Sequence, residues 1–169
     1  MGIISVKVDV RQLERLQKQI DKLAKVDIDS FCESCSKELA ARLLRKVIKR
    51  TPVGDYSNTY DLEEDGETKF LTESGKVGGT LRRGWTMRQL HHFDDTYVIE
   101  IINPVEYASY VEFGHRQVPG RYVPAINATL KVSWVKGQFM LTTSEKEISN
   151  IAPKFLETKL NQLLKECFK

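Results

Sequence analysis

The amino-acid sequence predicts an α+β fold: an antiparallel sheet of about four strands packed against N-terminal and C-terminal helices, with a long mobile loop at 52–80. Three observations predict it. Apolar residues recur at helical spacing near both ends of the chain, they alternate at strand spacing in the middle, and periodicity is lost between the first helices and the strands. We treat the 169 residues as a single α+β domain, because this length and a hydrophobic content of 41% suffice for one buried core.

The N-terminal segment, residues 1–51, is predicted to hold a short strand and two helices. Residues 3–8 suit a strand, and Asp9 stands where the first helix would be capped. The apolar stripe of that helix consists of Val10, Leu13, Leu16, Ile20 and Leu23. Ser30 and Glu33 form a capping-box pattern for a second helix, and its stripe consists of Phe31, Cys35, Leu39, Leu43 and Val47. Pro52 is expected to stop this helix.

Residues 52–80 show no helical or strand periodicity. Five glycines and seven acidic residues lie among serines, threonines and an asparagine. A loop of this length inside a compact domain is usually either functional or disordered. We therefore predict a flexible acidic arm that becomes ordered, if at all, against a partner.

Residues 81–141 are predicted to form the sheet. Segment 81–90 would be a strand with Leu81, Arg83, Trp85 and Met87 on one face, pairing as a hairpin with segment 95–102. A short helix at 105–113 follows Pro104 and ends at Gly114. After a loop at 117–124, one or two further strands would turn at Lys136-Gly137.

Segment 144–169 is predicted to be the C-terminal helix. Ser144 and Glu147 repeat the capping-box pattern at its start. Its apolar stripe consists of Ile148, Ile151, Phe155, Leu160, Leu163, Leu164 and Cys167. Pro153 should either kink this helix or begin a fresh one.

Composition and charge exclude several classes of protein. The sequence has no apolar run long enough for a membrane span, and its first residues lack the features of a signal peptide, so we expect a soluble protein made in a cytoplasm. The net charge of +3 is too small to indicate nucleic acid by itself. The charge is nevertheless segregated: residues 1–51 and 114–169 each carry +5, residues 52–80 carry −5, and residues 81–113 carry −2. These blocks could orient copies of the chain, or be ordinary solvated surface.

No residue pattern predicts catalysis, a cofactor or a metal. Cys32-x-x-Cys35 lacks the second pair of ligands that structural zinc needs, so packing on the apolar stripe is favoured over metal or redox chemistry. Histidines 91, 92 and 115 have no ligand spacing, and neither a nucleophile elbow nor a phosphate loop occurs. Arg82, Arg83 and Arg88 with Trp85 would suit stacking on nucleic-acid bases, but a half-buried strand is favoured.

Three short blocks carry a resemblance to a known family. They are Lys49-Arg-Thr-Pro-Val-Gly54 with Gly79-Thr-Leu-Arg-Arg-Gly-Trp85, then Tyr107-Ala-Ser-Tyr-Val-Glu-Phe-Gly-His115, then Arg121-Tyr-Val-Pro-Ala125. Together, over about residues 31–130, they resemble the tail-completion (head–tail joining, or neck) proteins of tailed phages. The segment from Thr129 resembles a subgroup from prophages with contractile tails. In the family the first motif runs almost directly into Gly-x-Leu-Arg, whereas here the acidic segment separates them.

The resemblance implies a structural protein of the virion, assembled in the host bacterial cytoplasm. Such proteins form a ring, usually a hexamer, at the head-proximal end of the tail. Their partners are tail tube and sheath proteins on one side and head connector proteins on the other. DNA passes through the lumen without sequence-specific contacts, and no membrane, cofactor or catalysis is involved. The alternative is a nucleic-acid-binding module that uses the basic terminal segments, and an unrecognised hydrolase is a third possibility.

The same blocks suggest which residues would join neighbouring protomers. Interfaces favour aromatic residues and arginine. The predicted seam consists of Arg82, Arg83, Trp85, Tyr107, Tyr110, Glu112 and Phe113, with Glu112 paired to an arginine. In the competing interpretation, Tyr110 and Phe113 merely cover the sheet of their own chain. Structural turns are expected at Pro52, Gly79, Gly114 and Pro124.

Overall fold

A computed structural model describes residues 11–55, 60–65, 68–73, 75–94 and 96–168 of the chain. Its α-helices are Arg11–Ala24 (α1), Ile28–Arg50 (α2), Thr80–Arg83 (α3), Ala108–Phe113 (α4) and Met140–Cys167 (α5), and a 3-10 turn spans Pro124–Ile126. Its strands are Tyr60–Asp65 (β1), Thr68–Glu73 (β2), Thr86–Met87 (β3), His91–Phe93 (β4), Thr96–Val98 (β5), Ile101–Ile102 (β6), Gly114–Arg116 (β7), Tyr122–Val123 (β8), Ala128–Thr129 (β9) and Trp134–Lys136 (β10). This mixture of helices and strands confirms the α+β class.

The strands form two-stranded antiparallel pairs rather than one sheet of about four strands. The pairs are β1–β2, β3–β6, β4–β5, β7–β10 and β8–β9. All strands after β2 are two or three residues long, which is too short to recruit a further neighbour into a continuous sheet. The predicted hairpin is present, since β3 pairs with β6 and β4 pairs with β5.

Segment 81–90 does not begin as a strand, contrary to the prediction. It begins with the helical turn α3, which the amide of Arg83 closes by donating to the carbonyl of Gly79 at 2.9 Å. Gly79 adopts φ +100, a conformation that glycine tolerates and other residues rarely adopt. The alternation of Leu81 and Trp85 therefore arises from a helical turn followed by an extended segment, and both side chains are buried.

The acidic segment 52–80 contains regular structure that the sequence analysis did not predict. Strands β1 and β2 form a hairpin with Tyr60 opposite Glu73 and Asp65 opposite Thr68. Four acidic residues in β1 masked the strand signal, because aspartate and glutamate are depleted in strands. Residues 56–59, 66–67 and 74 lie outside the described residues, as do the predicted strand 3–8 and the predicted cap Asp9.

Both long helices begin earlier than the capping-box patterns indicated. The cap of α2 is Asp27, whose carboxylate accepts from the Ser30 amide at 3.0 Å and the Ser30 hydroxyl at 2.7 Å. These two hydrogen bonds lower the pKa of Asp27. Helix α5 begins at Met140, so Ser144 lies inside it and donates back to the Met140 carbonyl at 2.7 Å. The helix is continuous through Pro153, which excludes a fresh helix at that point.

The core lies where α2 packs against α5 and the segments around α3. Its buried members are Val47, Leu81, Trp85 and Met140. The predicted stripe of α2 faces inward, and Cys35 is buried within it, where desolvation raises the pKa of its thiol. Helix α1 differs, because Leu16 and Ile20 of its stripe stay exposed.

Candidate assembly interface

Thr51 joins the first two sequence blocks. It is fully buried at the end of α2, and its hydroxyl donates to the Val47 carbonyl at 2.8 Å. The same hydroxyl accepts a hydrogen bond from the indole Nε1 of Trp85 at 2.7 Å. The guanidinium of Arg82 donates from Nε and Nη2 to the Thr51 carbonyl at 2.9 and 2.6 Å. Buried polar groups need such partners, so the Thr-Pro-Val and Gly-x-Leu-Arg motifs meet here for structural reasons.

Asn103 also links these segments through side-chain hydrogen bonds. Its amide Nδ2 donates to the Leu81 carbonyl at 2.7 Å, and its Oδ1 accepts from the Val105 amide at 3.2 Å. A Cβ at Gly84 would lie 2.6 Å from that Oδ1, so only glycine fits between the two segments. The sequence analysis did not single out Asn103. The Asn-Pro pair at 103–104, a turn signal, is the feature that could have found it.

Glu112 caps helix α5 from outside that helix. The residue is 5% exposed, and its carboxylate accepts from the amides of Leu141 at 3.0 Å and Thr142 at 2.9 Å. The Thr142 hydroxyl donates a third hydrogen bond at 2.8 Å. The residue before the helix, Phe139, provides no side-chain cap, so Glu112 supplies both the acceptors and the negative charge that a helix N-terminus favours.

Two glycines allow α4 to approach the start of α5 closely. Gly114 ends α4 with φ +85, and a Cβ there would collide with the carbonyl of Val135. A Cβ at Gly137 would collide with the carbonyl of Glu112. The motif Glu-Phe-Gly is thereby fixed against β10 on its inner side.

The opposite side of α4 is aromatic and faces solvent. Tyr107 is 40% exposed, Tyr110 58% and Phe113 60%, whereas Val111 packs against the core. Tyr110 and Phe113 are therefore largely exposed, although the ring of Tyr110 also packs on the imidazole of His115 in β7. So much exposed aromatic area on one short helix is what an interaction surface requires.

The structure divides the predicted seam residues into two groups. Arg82, Trp85 and Glu112 have hydrogen-bond partners within the chain, and we place them in the fold. Arg83 is exposed, with Nη1 donating to the Gly78 carbonyl at 3.3 Å. The group that remains available to a partner consists of Arg83, Tyr107, Tyr110 and Phe113.

Of the predicted turns, Pro52 follows the end of α2, and Pro124 opens the 3-10 turn.

Basic side chains at the end of α2 are used within the chain. Lys46 and Arg50 both bind the carboxylate of Glu147, each at 2.7 Å, and Arg50 also donates to Ser144. The hydrogen bond from Lys46, with the nearby charges, lowers the pKa of Glu147. Within the described ranges, no cluster of three or more histidine, cysteine, aspartate or glutamate residues could hold a metal ion.

These contacts define a small α+β protein whose recognisable motifs build a scaffold and leave an aromatic face outside. A family model described as "Bacteriophage HK97-gp10, putative tail-component" matches residues 14–114, more than half of the chain. The chain belongs to this phage tail-component family, which supports the resemblance to tail-completion and head–tail proteins. Membership indicates a structural tail protein of the virion that interacts with other phage proteins.

The two remaining comparisons add no relative. No curated protein and no solved structure matches the chain. Among the helices that the structure describes, none has both the length and the apolar character needed to span a membrane.

Proposed function

We propose that this chain forms a ring with copies of itself at the head-proximal end of a phage tail, where it joins the tail to the head connector. The observation that carries the proposal is the exposed aromatic face of α4, defined as Tyr107, Tyr110 and Phe113. Family membership supports the setting in a tail. It also favours a structural role over an enzymatic one.

The α4 face is held rigidly, which favours binding. Val111 packs into the core and Glu112 is locked to α5, so the helix cannot turn its aromatic residues inward without breaking three hydrogen bonds. A partner therefore meets side chains whose backbone is already ordered, and binding loses less conformational entropy. Aromatic residues on such a support are typical of interface hot spots.

A ring follows if the α4 face binds a different surface of an identical neighbour. Repeated head-to-tail contacts of this kind close into a ring when the rotation between neighbours divides a full turn. In our proposal six copies close it, tail tube and sheath proteins lie below, connector proteins lie above, and DNA passes through the centre. The segregated charge of the chain would orient the neighbours.

Association of the purified protein tests this proposal. Sedimentation velocity from micromolar to millimolar concentration should show a concentration-dependent oligomer. Tyr110→Ser and Phe113→Ser should each weaken association about tenfold or more, because they remove exposed aromatic area without touching the core. Val77→Ser is the matched control, since Val77 is 80% exposed and lies outside α4. Association that is insensitive to both α4 substitutions would refute the role of this face.

The alternative of a nucleic-acid-binding module gains less support from the structure. Several basic side chains in the terminal segments are already paired, Lys46 and Arg50 with Glu147 and Lys159 with Glu38. That module would bind DNA with an affinity that falls steeply as salt rises. A salt titration of DNA binding by fluorescence anisotropy separates the two functions.

A further inference from the structure

The proposed ring requires a surface complementary to the α4 face, and a depression beside α4 indicates its shape. This depression has a volume of about 640 Å³ and is lined by Tyr107, Tyr110, Val111, His115 and Arg116. The rings of Tyr110 and His115 pack in a T-shaped arrangement with their centroids 5.8 Å apart. Arg116 is exposed at the rim, and within the described residues it has no ion-pair partner. The depression is therefore apolar and has a cation at its edge.

A protrusion of matching chemistry lies at the tip of the β4–β5 hairpin. Phe93, the last residue of β4, is 64% exposed. Asp94 follows it in the turn with φ +50, and it too is exposed. In the described part of the chain, Asp94 has no basic partner. The tip thus presents an aromatic ring next to the Asp94 carboxylate. These two groups complement the apolar depression and the arginine at its edge.

The β4–β5 tip and the depression beside α4 lie near opposite ends of α2. Tyr97 of β5 donates from its hydroxyl to Asp29, in the first turn of α2, at 2.8 Å. Arg50, the last residue of α2, binds Ser144 near the start of α5, the same helix start that Glu112 of α4 caps. A helix of 23 residues is roughly 34 Å long at 1.5 Å per residue. The β4–β5 tip of one copy therefore cannot reach the depression of the same copy. The two surfaces suit head-to-tail contacts between copies.

We propose that the β4–β5 tip of one copy inserts Phe93 into the depression beside α4 of the next copy, with Asp94 pairing with Arg116. This inference rests on the proposed ring and names its repeating contact. The aromatic ring supplies apolar burial against Tyr107, Tyr110 and Val111. The charge pair fixes which end of one copy meets which end of the next.

A charge exchange tests the contact. Asp94→Arg alone places two cations together, and Arg116→Asp alone places two carboxylates together, so each variant should associate about tenfold more weakly than wild type. An equimolar mixture of the two variants should recover association, because every contact in an alternating ring then joins opposite charges. Phe93→Ala should also weaken association about tenfold or more, while Val98→Ala, an exposed residue of the same hairpin, should not.

The outcomes separate this inference from the proposed function. If wild type associates and the Tyr110→Ser variant does not, while Phe93→Ala and both charge variants behave as wild type, the ring stands and the contact named here is wrong. If the wild-type protein stays monomeric up to millimolar concentration, the proposed ring itself fails. Loss of association in the single charge variants without recovery on mixing would also overturn the Asp94–Arg116 pairing. Circular dichroism of each variant verifies that folding is unchanged.

Discussion

Replacing Glu112 should destabilise the fold rather than act on assembly alone. The carboxylate accepts hydrogen bonds from two amides in the first turn of α5 and from one hydroxyl. Glu112→Ala leaves both amides without that acceptor and removes the negative charge at the helix N-terminus. Loss of a helix cap costs roughly 0.5–2 kcal/mol, and an unsatisfied buried donor costs roughly 1–3 kcal/mol.

We expect Glu112→Ala to lower the free energy of unfolding by about 2–3 kcal/mol. This value lies in the lower part of the sum of the two costs, those of the lost cap and of the unsatisfied donor. The lower part applies because Thr142 is exposed, so water can reach one of the amides. For a chain of this size each kcal/mol corresponds to roughly 2–4 °C in Tm, so Tm should fall by about 5–10 °C. Glu112→Gln keeps an acceptor and should lose about half as much.

Differential scanning calorimetry measures this shift, with Glu106→Ala as the control. Glu106 is an exposed acid in the turn before α4, and its removal should leave Tm almost unchanged. Equal shifts for the two variants would refute the capping role. A Glu112→Arg variant that keeps the wild-type Tm yet loses association would instead support an arginine partner on a neighbouring copy.

Three further predictions follow from the other polar contacts. Thr51→Val should lower the free energy of unfolding by about 1–3 kcal/mol in urea denaturation, because it leaves the Trp85 Nε1 buried without an acceptor, whereas Thr51→Ser should lose less. The hydrogen bond to Asp29 raises the pKa of Tyr97 to about 12, so its stabilisation is complete below pH 10 and is lost as pH rises through 12. Spectrophotometric titration should show one late-titrating tyrosine that Tyr97→Phe removes; an unchanged curve would contradict the contact. Glu147 has a lowered pKa, so its contribution is present above its unfolded value of about 4.5 and is lost as pH falls through the folded value; Glu147→Gln should flatten stability over that acid range.

The long helices α1, α2 and α5 were predictable because a stripe of apolar residues is a local property, whereas the short helix α3 was not. The stripe through Cys35 and Val47 is sufficient to identify α2 and the face it buries. The exact starts of α2 and α5 were not predictable in the same way. Asp27 caps α2 through the hydrogen bonds that its carboxylate accepts from Ser30, the residue that the capping-box pattern itself predicts as the cap. Helix α5 is capped by Glu112, which lies 28 residues before the first residue of that helix. No local pattern can report a cap supplied from another element.

The candidate site was predicted only in part for the same reason. The aromatic residues Tyr107, Tyr110 and Phe113 were identified from the sequence, and all three are exposed, with Tyr107 at the N-cap of α4 and the other two inside the helix. Arg82 and Trp85 were predicted to lie in the seam between protomers, yet both bind Thr51 across a gap of about thirty residues in sequence. Their roles depend on a tertiary contact between α3 and the end of α2. The hairpin β1–β2 was missed because acidic residues oppose strand propensity, and pairing between strands overrides it.

Photo-crosslinking inside an assembled particle tests the central claim most directly. A benzophenone amino acid replaces Tyr110, whose side chain is 58% exposed, and purified tails are irradiated and digested for mass spectrometry. We predict cross-links from position 110 to a second copy of this chain, concentrated around residues 91–98. Cross-links only to other tail proteins, or only within one copy, would contradict the claim that the α4 face joins identical neighbours.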